Sequence, residues 1–119
     1  MAAELPLEIS ATIGEAKHSF LIDTGSSLSI LPYNSNYSPF LHPTGISLTN
    51  ASGSNIKCYG ELNAQVNIPS ARRSFKFTFV VADVMQPILG LDFLSENGLI
   101  VDPKNRLLID SNTKYHIPL

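Results

Sequence analysis

Apolar and polar positions alternate along most of the chain, and the period of that alternation is two. Leu7, Ile9, Ala11 and Ile13 are separated by Glu8, Ser10 and Thr12, which predicts a strand with one buried face. Gly14-Glu15 interrupts the pattern, and Ala16 to Ile22 reads as the return strand of a hairpin. The longest run sets Ile56, Cys58, Leu62, Ala64, Val66 and Ile68 against Lys57, Tyr59, Glu61, Asn63, Gln65 and Asn67. Gly60 falls in the inward register of that run and predicts a bend or bulge. Ser74 to Ala82 alternates again, with Phe75, Phe77, Phe79 and Val81 on one side as core aromatic packing.

The remaining elements are shorter. Ser29-Ile30-Leu31-Pro32 predicts a brief strand ended by a proline that cannot donate to a ladder. Tyr33 to Pro43 reads as an irregular surface loop with Tyr37 and Phe40 as its anchors. Gly45 to Asn50 resumes as a strand, Ala51-Ser52-Gly53-Ser54 has turn chemistry, and Asn55 onward returns, giving a hairpin with a small tip. Ile88-Leu89-Gly90 is an apolar strand end, after which Asp92 is placed to cap a short helix, Phe93 to Asn97, closed by Gly98. Leu99-Ile100-Val101 and Leu107-Leu108-Ile109 flank the turn Pro103-Lys104-Asn105, and Tyr115 to Leu119 is a terminal extended piece. These elements predict an all-β class, a small closed or partly closed barrel forming one domain over residues 1–119.

Composition narrows the classes of function. A chain of 119 residues buries about two-thirds of the surface its unfolded form exposes, so it needs no disulfides. Its single cysteine, Cys58, lies in the apolar register and reads as a small buried hydrophobe in a reducing compartment. A net charge of −2 gives no electrostatic case for nucleic acid or an anionic membrane. No apolar run approaches the ~18 residues of a membrane span, and the start Met1-Ala2-Ala3-Glu4 has no secretory pattern, so a cytoplasmic location is expected.

One stretch carries candidate chemistry. Phe20, Leu21 and Ile22 form a buried strand end, and Asp23 follows them directly. A carboxylate in that place is paired, protonated or functional. Thr24 supplies a short hydroxyl and Gly25 a position without Cβ where another backbone can approach. An ordinary Asx turn closing a strand is the competing reading.

Asp23-Thr24-Gly25-Ser26 followed by Leu28-Ser29-Ile30-Leu31-Pro32 resembles the active-site loop of aspartic proteases. Gln86-Pro87-Ile88-Leu89-Gly90-Leu91-Asp92-Phe93-Leu94 resembles the apolar-apolar-Gly segment and short helix that end the retroviral-type subunit. Leu48 to Ile56 stands where that family carries its flap. The resemblance runs from about Leu7 to Ile109, and its nearest form is the retropepsins, the proteases of retroviruses and LTR retrotransposons.

The resemblance implies a retropepsin-type barrel with a flap hairpin and one short C-terminal helix. It implies an aspartic endopeptidase that needs no metal or cofactor and processes a peptide or polyprotein substrate, in the cytoplasm or within virus-like particles. The chain has one Asp-Thr-Gly; none of Asp83, Asp92, Asp102 and Asp110 is followed by a hydroxyl residue and then glycine, as Asp23 is. The second carboxylate must therefore come from a homodimer. Asp23, Thr24 and Gly25 are the expected catalytic residues. Ser26, Ser27, Ala51, Ser52, Gly53, Ser54, Ile88 and Gly90 are the expected substrate-binding residues.

The sequence also departs from well-known viral members. Ser27, Leu28 and Leu91 replace charged residues that brace the dimer there, so the terminal stretch Tyr115 to Leu119 is expected to carry more of the association. Ser26 is expected to donate its hydroxyl to the outer oxygen of Asp23 and so favour an acidic optimum, at about pH 4 to 6. Two other readings stay open: a non-catalytic dimerisation or peptide-binding module, and a cellular retropepsin-like protease.

Overall fold

The first hairpin forms as its alternation dictates. In the computed structural model, which describes residues 5–119, β1 (Glu8–Ile13) pairs antiparallel with β2 (Ala16–Ile22) in the register Ile9 to Phe20 and Ile13 to Ala16. Gly14, with φ of +59°, makes the turn. The start Met1 to Glu4 lies outside the described residues. Next come β3 (Ile30–Pro32), the short flap strands β4 (Leu48–Thr49) and β5 (Asn55–Ile56), and the long β6 (Cys58–Ile68) and β7 (Arg73–Ala82). After them follow β8 (Ile88–Leu89), α1 (Leu91–Glu96), β9 (Leu99–Asp102), β10 (Leu107–Asp110) and β11 (His116–Pro118).

Six strands close into a barrel in the order β1-β2-β8-β3-β7-β6, and closure comes from Thr12 and Ile13 pairing with Asn67 and Val66. Closure leaves the barrel without an open edge. The bulge expected at Gly60 is present as a register shift between Cys58 and Gly60, where Gly60 has φ of +144°. The reason is a close crossing: a Cβ there would lie 2.6 Å from the His42 carbonyl oxygen, because the His42 and Glu61 backbones exchange hydrogen bonds at 2.9 and 2.8 Å.

The core follows from the inward register. Phe20, Phe75, Phe79, Leu31, Leu89 and Val66 are fully buried. Phe93 of α1 inserts among Phe75, Phe77 and Phe79, at ring-centroid distances of 5.3, 5.1 and 6.4 Å. Truncating such a ring to alanine costs about 3–5 kcal/mol, so Phe93, with buried Leu94 beside it, fixes α1 to the barrel. A second, smaller cluster lies under the flap, where Ile30, Val80 and Ala82 meet Leu28, Ile46, Leu48, Ile56, Cys58 and Val84. β7 thus buries both faces at its end, which its alternation alone does not announce.

Several elements differ from the pattern-based expectation. The loop after β3 contains a 3-10 helix, Ser35–Phe40, whose start is capped by the Asn34 side chain accepting from the Asn36 amide. Tyr37 does pack against the core, with its hydroxyl 3.3 Å from His18 Nε2, but Phe40 is 66% exposed and anchors nothing. Leu41, where the chain turns back, packs inward in its place. The strand expected over Gly45 to Asn50 shrinks to Leu48–Thr49, because the Ile46 amide is taken by the Thr44 hydroxyl at 3.1 Å. Helix α1 begins two residues earlier than the Asp92 cap implied, with Gly90 at its N-cap.

β9, β10 and β11 form a separate three-stranded sheet in the order β11-β10-β9. The terminal segment expected to carry association is therefore an edge strand of its own chain's sheet, with Ile117 buried and pairing to Leu108. Asp110 holds this sheet to the barrel. Its carboxylate accepts from the Asn112 and Thr113 amides at 2.9 and 3.3 Å and from Arg73 at 3.0 Å. No described helix is long and apolar enough to cross a membrane.

Candidate active site

The candidate site is built where three barrel strands cross. Leu21 and Ile22 run parallel to Ile88 and Leu89, while Ile30 pairs antiparallel with Ile88. Asp23 therefore leaves β2 beside the end of β8, and its amide donates to the Leu89 carbonyl at 3.0 Å. The loop then turns sharply: the Ser26 amide donates to the Asp23 carbonyl at 3.1 Å, and the Gly25 amide donates to Asp23 Oδ1 at 2.9 Å. The Asx turn and the presented carboxylate are thus one geometry. One oxygen is fixed by a backbone amide, and the side chain remains half-exposed.

Gly25 leaves room for the same contact, since a Cβ there would sit 3.2 Å from Asp23 Oδ1 and press on the carboxylate. Thr24 and Ser27 are exposed on the loop surface. Ser26 departs from expectation. Its hydroxyl donates to the Leu28 carbonyl at 2.7 Å, closing the loop on itself, and does not reach the outer oxygen of Asp23.

Gly90 is the tightest position in the site. A Cβ there would lie 2.4 Å from the Leu28 carbonyl oxygen and 2.6 Å from that of Ser26. The loop and the start of α1 are joined across it by Leu91 N–H to the Ser26 carbonyl at 2.8 Å and Asp92 N–H to the Ser27 carbonyl at 3.3 Å. Ser29, which sequence patterning did not assign to the site, and Asp92, expected only as a helix cap, complete this junction. Buried Ser29 accepts from the Gly90 amide at 2.8 Å and donates to Asp92 Oδ1 at 2.7 Å, which in turn accepts from the Phe93 amide at 2.7 Å. A serine inside the apolar run Leu28 to Leu31 was the available signal, because a buried hydroxyl needs a partner.

Ser26, Ser27, Ile88 and Gly90 are therefore brought together with Asp23. Ala51, Ser52, Gly53 and Ser54 form the exposed tip of the flap. No hydrogen bond among the described residues joins that tip to the Asp23 loop, and the flap reaches the site through the apolar cluster at its base. A cavity of about 650 Å³ lies on the outer barrel wall, lined by Asn63, Ala64, Gln65, Lys76, Phe77, Thr78 and Glu96, none of them from the Asp23 loop, β8 or the flap. Asp23 itself faces an open surface of the single chain. Among the described residues, no group of three or more His, Cys, Asp or Glu side chains could hold a metal ion.

A closed six-stranded barrel with a flap hairpin, a loop of this form and a glycine crossing behind it is a retropepsin-like fold. No protein-family model and no curated protein matches the sequence. Solved structures do match. The crystal structure of the retroviral protease-like domain of Ddi1 from Leishmania major superposes with a TM-score of 0.76 at 20% identity, covering 98% of this chain and 94% of that one. The EIAV protease complexed with the inhibitor HBY-793 superposes with a TM-score of 0.63 at 23% identity, covering 80% of this chain and 90% of that one.

Proposed function

We propose that the chain is one half of an aspartic endopeptidase that cleaves peptide bonds with a water activated by two copies of Asp23. The observation that carries the reading is the Asp23 carboxylate, held by the Gly25 amide at the end of β2 on an open loop surface. A lone carboxylate in that place has no partner for acid-base work; a second copy about a two-fold axis supplies one. Two carboxylates at close range share a proton, because like charges so near cannot both ionise. The ionised member takes a proton from the water as its oxygen bonds to the scissile carbonyl carbon, and the protonated member gives its proton to the carbonyl oxygen. The tetrahedral intermediate then collapses: the carboxyl that took the proton from water passes it to the leaving nitrogen as the C–N bond breaks, and a hydroxyl of the intermediate returns a proton to the other carboxylate as the new carbonyl forms.

On this reading Thr24, whose side chain is exposed, would bond across to the partner loop and hold the pair coplanar. Ser26, Ser27, Ile88 and Gly90 would flank the substrate main chain, and the tip Ala51 to Ser54 would close over it and exclude bulk water. Processing of a polyprotein by a retroelement enzyme is the substrate class proposed, in a cytoplasmic setting. A second reading, a cellular retropepsin-like protease, is favoured by one observation. The match to the Leishmania major domain spans nearly the whole chain, whereas that to the EIAV protease spans 80% of it.

The test is cleavage of an unfolded protein by wild type and Asp23→Asn across a dilution series. The near-isosteric amide should abolish turnover and leave fold and dimer intact, and wild-type specific activity should fall on dilution as the dimer separates. Turnover in Asp23→Asn equal to wild type would refute the dyad. A monomer with constant specific activity down to nanomolar concentration would refute the dimer.

A further inference from the structure

The flap divides into a well-fixed base and a tip that nothing packs against. At the base, Tyr33 stacks on Tyr59 at 4.0 Å, Gly60 is crossed by the His42 backbone, and Leu48 and Ile56 join the apolar cluster. Beyond it, β4 and β5 have two residues each, paired only as Leu48 to Ile56 and Thr49 to Asn55, and Ala51 to Ser54 are exposed. So short a ribbon is not self-supporting in water. Ordering its tip only when a ligand arrives would set lost backbone freedom against binding.

One side chain supplies the missing order. Asn50 Oδ1 accepts from the Ser52 amide at 3.1 Å, the Ser52 hydroxyl at 2.7 Å and the Ser54 amide at 3.0 Å. Three donors converging on one atom identify it as the carboxamide oxygen. The Asn50 backbone adds two bonds, donating to the Ser54 carbonyl and accepting from the Gly53 amide, both at 2.9 Å. Gly53 has φ of +85°, which the turn requires and which glycine adopts without strain.

We propose that Asn50 is a positioning residue of the flap, holding the tip in its working turn before substrate arrives. The proposal rests on the protease reading above. Its chemical corollary concerns what the tip offers to a ligand. The Ser52, Gly53 and Ser54 amides are all turned inward on Asn50, so the tip offers a substrate backbone its outward carbonyls and the Ser54 hydroxyl, 3.3 Å from that of Ser52, rather than those amides.

The experiment compares Asn50→Ala with Asn50→Asp, which keeps an acceptor oxygen in the same place. In the ligand-free protein, amide hydrogen exchange at Ser52, Gly53 and Ser54 should accelerate at least tenfold in Asn50→Ala and return toward wild type in Asn50→Asp, with the global melting temperature unchanged in both. In cleavage assays, Asn50→Ala should raise KM about tenfold, with a much smaller change in kcat, because the ordering cost is then added to binding. Unchanged exchange at the tip in Asn50→Ala overturns the proposal, as does accelerated exchange with wild-type KM and kcat. A wild type that cleaves nothing, with its tip amides protected through Asn50, refutes the protease reading and with it a catalytic use for the ordered tip.

Discussion

Replacing Gly90 by alanine tests how the candidate site is assembled. The added methyl would sit 2.4 Å from the Leu28 carbonyl oxygen and 2.6 Å from that of Ser26, both main-chain atoms with no rotamer to escape into. An ordinary contact is about 3.5 Å, so loop and helix start must separate by about 1 Å. That separation is resisted by Leu91 N–H on the Ser26 carbonyl at 2.8 Å and by the Gly90 amide on Ser29 at 2.8 Å. Overpacking costs about 1–3 kcal/mol, and each lost hydrogen bond adds about 1 kcal/mol, for a total of about 3–5 kcal/mol. With a urea m-value of about 2 kcal/mol/M, the midpoint should fall by about 1.5–2.5 M. Gly45→Ala is the control, because a Cβ there meets nothing within 4 Å and the residue has no positive φ. It should stay within about 0.5 kcal/mol of wild type. Equal midpoints for the two variants would refute the close crossing.

Ser26→Ala should leave the pH dependence of kcat/KM superimposable on wild type while lowering stability by about 1 kcal/mol, because the hydroxyl serves the Leu28 carbonyl. A shift of half a unit or more in the acidic limb would return Ser26 to the carboxylate. Asp110→Asn should cost about 1–2 kcal/mol at neutral pH and progressively less in acid. Burial alone would raise the Asp110 pKa, but the Asn112 and Thr113 amides and Arg73 more than offset it and hold the group below its ordinary value. A folded pKa below the unfolded one gives stability that is complete above the unfolded value, about 3.9, and is lost as pH falls through the folded one. Melting curves of both proteins should therefore begin to approach each other only below about pH 4 and meet below the folded pKa, and a gap independent of pH would remove the ion pair from the account.

The long strands were legible because their side chains obey one rule over many residues: β1, β2, β6 and β7 stand within a residue or two of where alternation puts them. β3 and β8 are too short to carry a period, so nothing in the sequence announced that Leu21 and Ile22 run parallel to Ile88 and Leu89. That crossing makes the site. The motif around Asp23 gave the loop, yet the destination of the Ser26 hydroxyl depended on where the Leu28 carbonyl came to rest, a matter of turn geometry. The Ser29 to Asp92 bond links residues far apart in sequence and was invisible for the same reason. Phe40 misled because aromatic character suggests burial, whereas the chain turns back at Leu41 and packs that half-buried residue against the core instead.

The two faces of β7 have an evolutionary consequence. Phe75 and Phe79 belong to the main core, while Val80 and Ala82 belong to the small cluster beneath the flap, with Leu28, Ile30, Ile46, Leu48 and Ile56. On the proposed reading that small cluster forms the wall next to the substrate. Substitutions within it are largely separated from the aromatic packing around Phe93, so their effects on stability should be close to additive with changes in the main core. If that reading holds, substitutions there could change what is cleaved while the barrel, whose fold is shared by structures 20% and 23% identical to this chain, stays the same.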